Sequence, residues 1–414
     1  MGFEFKVRGI SKIDKKRLCT QYEKKFRKDK DVINVACSFL LEIIYLYFEN
    51  DKEKLFKLFF PVVTSCLIEK GSIHSITQEY KDEKELYSWS YTYRIINTLD
   101  ENVGLEIGRV FRDITLKILK KNGFKNKGYC VAIDTTIRPF YGDKDLFMIK
   151  GCKRKDGTNY GLHYLTASII EEGVRFNLMC IHLPSLTSVA RRVENLINEI
   201  RKMVPTKLFF LDRGFCGKEY CKIIRWLKHK FIMPITKNKK LKELEYCMKE
   251  EAKEFQNDEY AIVALDYVFS EDRAKEYQEK VRLLILYTKG EVVFFITNIF
   301  NLTLEEYHDL TKVYRYRFGI ETNYRVDNIF NPFTSSVTAS TRYLLMQTSL
   351  IVQDVWMLAN FIKHDDEKKQ PREKYKNEYS LIDIIRARIQ KLDLVWRPII
   401  PAISFKRKAN LNFQ

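Results

Sequence analysis

The 414-residue chain has no C-x-x-C pair, and its nine cysteines are an odd number. That pattern argues against a disulfide framework and fits a reducing cytoplasm. Cys216, Cys221 and His229 are the nearest approach to a zinc set, but no fourth ligand lies at a suitable spacing, so buried free cysteines are the reading. Long apolar runs are missing too. The most apolar stretch, Phe39 to Phe48, is too short to span a bilayer and is interrupted by Glu42, and no amino-terminal signal pattern precedes it, so no membrane role is expected. Acidic residues are in deficit: 72 Lys and Arg against 54 Asp and Glu leave a formal charge of +18, distributed along the whole length. Such a field points to a polyanionic partner, and nucleic acid fits better than an anionic membrane. With 45% hydrophobic residues the chain can supply cores for two or three domains.

Residues 1–125 read as a helical region. Val32–Tyr47 and Asn97–Lys120 carry apolar residues at helical spacing. Between them Ser72–Tyr80 and Leu86–Ile96 have the lengths of a helix-turn-helix, where Tyr91, Tyr93 and Arg94 could meet phosphates. Any small bundle has the same look, so DNA-end binding here rests on charge and position.

From Tyr129 the pattern changes to strands. Cys130–Ile133 is an apolar run suited to a strand buried on both faces, and it stops at Asp134, which is expected at the strand's carboxyl end, where open sheets collect their chemistry. Alone, an Asp followed by Thr135, Thr136 and Pro139 reads as a turn former. A loop with Asp143 and Asp145 and a basic patch, Lys150–Lys155, come next; solvation explains those two acids better than metal binding. Leu165–Ile170 and Val174–Leu183 read as a hairpin and Ser188–Met203 as a helix. Lys207–Leu211 then repeats the first device, an apolar strand ending in Asp212. A helix, Lys218–Lys230, and a strand, Phe231–Ile235, complete a mixed sheet in which the first and fourth strands are neighbours, so that Asp134 and Asp212 end side by side.

Residues 237–297 read as a β-rich insertion, with a charged helical piece, Lys239–Glu254, ahead of three strand-like runs. The main domain resumes at a helix whose start is marked by Thr303 and Glu306 in a capping box. On the segment that follows, Tyr314, Arg317, Glu321 and Asn328 fall within a sector of roughly 60° if the helix is continuous; Gly319 invites a kink or a break. An Arg317–Glu321 surface ion pair is the plain alternative.

Asp134-Thr-Thr, Asp212-Arg-Gly-Phe and Tyr314-(2)-Arg317-(3)-Glu321 together resemble the DDE transposases of the IS4 type, over residues 129 to about 360. Separations of 78 residues between the two aspartates and 109 from Asp212 to Glu321 agree with that arrangement. Two positions depart from it: Asn328 stands where the family has a Lys after six further residues, and the insertion lacks the Trp that related enzymes can use to hold a flipped base. The resemblance implies an α/β fold with a ribonuclease H-like mixed sheet and helices on both faces, interrupted by the insertion and preceded by the helical region. Its expected extent is 126–236 plus 298–364, with a long helix, Arg342–Lys363, on the sheet and a basic region over 365–414.

It also implies a cut-and-paste DNA transposase acting on the terminal inverted repeats of its own insertion sequence. Asp134, Asp212 and Glu321 become catalytic metal ligands; Tyr314, Arg317, Arg325 and Asn328 become phosphate contacts. In-line displacement at phosphorus suits two divalent ions about 3.5 to 4 Å apart, Mg²⁺ with Mn²⁺ as substitute, because they can activate one oxygen and stabilise the other. The partners implied are double-stranded DNA and a second copy of the chain, and the place is the nucleoid of a prokaryotic cytoplasm. A catalytically silent DNA-binding descendant and a structure-selective nuclease with the same core are the competing readings. Intact acids at all three positions argue against the first, and the second would cut without joining.

Overall fold

The computed structural model describes residues 3–28, 32–66, 71–80, 86–122, 124, 128–146, 148–171, 174–184, 188–251, 260–269, 279–320, 324 and 330–366, to which all structural statements refer. The chain divides into two compact units, Met1–Lys125 with Asn323–Gln414, and Asn126–Thr322.

The first unit opens with six helices: α1 (Lys12–Lys28), α2 (Val32–Tyr47), α3 (Lys52–Ser65), α4 (Ile73–Glu79), α5 (Trp89–Ile96) and α6 (Glu101–Lys121). Local chemistry sets several starts. Asp51, Ser88 and Asp100 each accept from backbone N–H groups of the turn they open, and Ser72 and Ser75 form a reciprocal box. The Asp100 cap is why α6 begins four residues later than its apolar periodicity suggests. Aromatic stacking joins the elements: Tyr22 of α1 lies on Phe39 of α2 with centroids 4.2 Å apart, and Phe39 meets Phe111 of α6 at 5.1 Å.

The second unit is built on one nine-stranded sheet. Its elements in chain order are β1 (Tyr129–Pro139), β2 (Lys150–Lys155), β3 (Thr158–Glu171), β4 (Val174–His182), α7 (Val189–Met203), β5 (Thr206–Leu211), α8 (Lys218–Trp226), β6 (Phe231–Pro234), α9 (Lys239–Glu251), β7 (Tyr260–Phe269), β8 (Glu279–Thr288), β9 (Glu291–Thr297) and α10 (Leu304–Tyr314). The strand order is β2-β3-β1-β5-β6-β9-β8-β7, with β4 also beside β3. β1 and β5 pair in parallel, as the repeated strand-to-acid device implied. Two features differ from expectation. The basic stretch Lys150–Lys155 is a strand, held to the start of β3 by the pairs Lys150↔Gly161 and Lys155↔Thr158. And the strands expected as an insertion prolong the main sheet, because β9 pairs with β6 at Ile232↔Thr297. All four residues of β6 are buried, and an apolar strand left at an edge would expose unpaired backbone groups; β9 covers it.

The long helix α11 (Ala339–Asp366) belongs to the helical unit, which corrects its expected place on the sheet. It packs along α6 where two glycines allow close approach. A Cβ on Gly104 would lie 3.4 Å from the Leu344 Cα, and one on Gly108 would lie 2.6 Å from Arg112 Nη1 and 2.8 Å from Gln347 Oε1. Fully buried Arg112 donates to Gln347 across this seam at 2.8 Å. An apolar helix announces that it is buried, not against what. The sequence expectations beyond residue 366 lie outside the described residues.

Candidate active site

Asp134 stands on β1, six residues into an eleven-residue strand. The expected strand end is therefore not at the acid. Pairing with β3 continues from Asp134↔Thr166 to Pro139↔Gly161, whereas the parallel pairing with β5 finishes at Ile133↔Leu211. Asp134 and Asp212 are thus the next residues after the last paired step of two adjacent parallel strands, whose axes lie about 4.8 Å apart. Asp212 leaves the sheet at once, since Arg213–Phe215 form a tight turn closed by a hydrogen bond from Phe215 N–H to the Asp212 carbonyl at 3.0 Å. Asp134 Oδ1 accepts from the neighbouring Thr135 N–H at 2.7 Å, a local contact that fixes the carboxylate and that sequence reading did not supply.

The helix bearing the Tyr-Arg pair approaches from α10. Its start is the expected box: the Thr303 hydroxyl accepts from Glu306 N–H and the Glu306 carboxylate from Thr303 N–H. The helix tightens over Arg315–Arg317 into a three-residue-per-turn segment, ahead of Gly319 rather than at it. Residues three apart nearly eclipse in such a turn, so Tyr314 and Arg317 align, with the guanidinium carbon 5.7 Å from the Tyr314 ring centroid. Gly319 answers a packing need. A Cβ there would come within 3.0 Å of Arg175 Nε and 3.2 Å of Ile170 Cγ2.

Arg317 draws the two aspartates together. Its Nη1 is 3.5 Å from Asp134 Oδ2 and its Nη2 is 3.7 Å from Asp212 Oδ1. The Arg317 side chain is 7% exposed and that of Asp134 12%, while Asp212 is more open at 42%. Tyr314 is placed differently from a phosphate contact: it is buried, its hydroxyl donates to the Leu211 carbonyl at 2.9 Å, and its ring packs edge-on against Phe210 and Phe295. Burial pushes the phenol's pKa up, which keeps it a donor.

Glu321, Arg325 and Asn328 lie outside the described residues, and with them the question of one continuous helical face. Asp143 accepts from Asp145 N–H at 2.9 Å in an exposed turn, in keeping with loop solvation. Cys221 is buried, its thiol pKa raised by burial, and among the described residues no three His, Cys, Asp or Glu gather as a ligand set. What does gather is a pair of carboxylates near one guanidinium. Hard carboxylate oxygens fit a divalent cation of the Mg²⁺ kind, which needs few protein carboxylates.

The antiparallel strands β1, β3 and β4, then the parallel β5 and β6 reached through helices, with an acid following the last paired step of β1 and β5, give an α/β core of the ribonuclease H-like kind found in transposases. Residues 127–330 match the family model of the transposase DDE domain, so the chain carries a DDE transposase domain and is a DNA transposase. Solved structures of similar fold include that of the piggyBac transposase in a synaptic complex with hairpin DNA, with a TM-score of 0.50 and 13% identity over 98% of this chain and 89% of that one. No curated protein sequence matches the chain. DDE transposases use divalent metal ions. No described helix is long and apolar enough to cross a membrane.

Proposed function

We propose that the protein performs cut-and-paste transposition, cutting at the terminal inverted repeats of its own element and joining the freed ends to target DNA. Asp134, Asp212 and Glu321 would hold two Mg²⁺ ions, with Mn²⁺ as an effective substitute. Bound there, the ions supply Lewis acidity to the attacking and leaving oxygens of an in-line displacement. The chain's own part is positioning. The backbone pairing of β1 and β5 fixes where Asp134 and Asp212 emerge, Thr135 N–H orients the Asp134 carboxylate, and Tyr314 ties α10 to the end of β5. Arg317 is suited to a phosphate of the reacting strand by its fork of donors, with Arg325 and Asn328 further along the same DNA. A homodimer holding both ends would be the working assembly; the piggyBac transposase was solved in a synaptic complex with hairpin DNA. The setting would be a prokaryotic nucleoid.

The observation that carries this reading is Asp134 and Asp212 beside one buried Arg317. DNA flanking the coding region supplies the test: its short inverted repeats, placed around a marker and incubated with the protein, Mg²⁺ and a target plasmid, should yield excised fragments and joined products. Cleavage without joining would make the protein a nuclease.

A further inference from the structure

Arg317 lies where a cation belongs. It is buried, within 4 Å of both candidate ligand carboxylates, and flanked by the rings of Tyr314 and Phe318, the latter 5.1 Å from its guanidinium carbon. At 3.5 and 3.7 Å the two contacts are too long for hydrogen bonds, so the guanidinium acts on these carboxylates chiefly through its charge. A divalent ion entering the same carboxylates would meet this positive charge at close range, and on the buried Asp134 side, away from the more open Asp212, repulsion is stronger than in bulk water.

We infer that Arg317 is a resident counter-ion that competes with the divalent metal for Asp134 and Asp212, and that a DNA phosphate relieves the competition by drawing the guanidinium to itself. A phosphate offers the guanidinium two parallel short bonds, which neither carboxylate gives it here. Phe318 is 55% exposed, so the guanidinium is bordered on that side by a surface ring. Metal would then bind weakly to the protein alone and tightly once DNA is in place. By linkage, metal must strengthen DNA binding by the same factor. The inference rests on the metal-ligand reading of Asp134 and Asp212 and adds an order of assembly to it, one that withholds the reactive centre until a substrate strand arrives.

The test is Mn²⁺ binding to the full chain, followed by the electron paramagnetic resonance signal of the free ion, with and without a short duplex of arbitrary sequence. Without DNA, Arg317→Ala should bind Mn²⁺ about tenfold tighter than wild type, within the usual range of site-to-site coupling, while Arg317→Lys stays near wild type. The duplex should tighten Mn²⁺ binding by the wild type and leave the Ala variant little changed. Thermal melting checks folding, and Arg317→Gln, similar in reach but uncharged, replaces Ala if the latter unfolds. Mn²⁺ affinity that is unchanged or weaker in the uncharged variants overturns the inference alone. Absence of Mn²⁺ binding from every form overturns the metal-ligand reading and the inference with it.

Discussion

The Tyr314 hydroxyl donates to the Leu211 carbonyl at 2.9 Å, so the last turn of α10 is bonded to the strand residue immediately before Asp212. Tyr314→Phe keeps the ring packing and removes only that bond. It should cost about 1 kcal/mol, the net worth of a typical hydrogen bond, and lower the melting temperature by about 2–4 °C. Cleavage should fall while DNA binding in a gel shift stays near wild type. Loss of binding with intact chemistry would instead make the hydroxyl a phosphate contact.

Lys153 and Arg154 are exposed on β2, a strand that leads away from Asp134 along the start of β3. Nonspecific duplex binding should weaken with salt at a slope of about −0.9 per phosphate neutralised, and converting both residues to Glu should make the slope shallower by roughly 2. A flat response between about 50 and 200 mM salt in the wild type would mean that the positive charge does not face DNA.

Burial lowers the pKa of His163 and of His229, and the Nε2 of each lacks a hydrogen-bond partner. Both rings are therefore favoured neutral in the fold, while the unfolded chain takes up protons first, near the ordinary value of about 6.5. Their contribution to stability is whole above that pH and is lost as pH falls through the lower folded values. Melting temperature should drop on going from neutral to mildly acidic buffer, and replacing both with Gln should flatten that drop. An unaltered profile in the double variant would contradict this.

Arg325 and Asn328 follow Glu321 in sequence, beyond the described residues, and position 328 would lie roughly 10 Å past Glu321 on a continuous helix. A neutral amide makes a weaker bond to phosphate than a charged side chain does. Arg325→Ala should therefore be severe for cleavage and end pairing, Asn328→Ala mild, and Asn328→Lys should restore much of what Arg325→Ala loses. A silent Arg325→Ala beside a crippling Asn328→Ala would make Asn328 itself the contact.

Asp134 and Asp212 were legible in the sequence because each follows a short apolar run, and burial on both faces of a central strand demands such runs. The length of β1 was not. Thr135, Thr136 and Pro139 have the character of a turn, and only pairing with β3, more than twenty residues away, keeps them extended. The same is true of β2, whose lysines would suit a loop until Gly161 and Thr158 pair with it. The partner of α11 depends on Gly104 and Gly108, glycines whose meaning appears only when Leu344 and Gln347 are set against them. For Tyr314 the residue type announces a donor, but which oxygen receives it is decided by where β5 ends.

The most direct test of the account is a nicking assay in Mg²⁺ paired with a gel shift on the same end-bearing DNA, comparing wild type with Asp134→Asn, Asp212→Asn and Glu321→Gln. On the proposed reading each substitution removes a carboxylate charge that would hold metal and leaves the basic side chains untouched, so each variant should bind DNA nearly as well as wild type and fail to nick it. A variant that cuts at close to the wild-type rate would show that its carboxylate is not a metal ligand and would contradict the account at that residue.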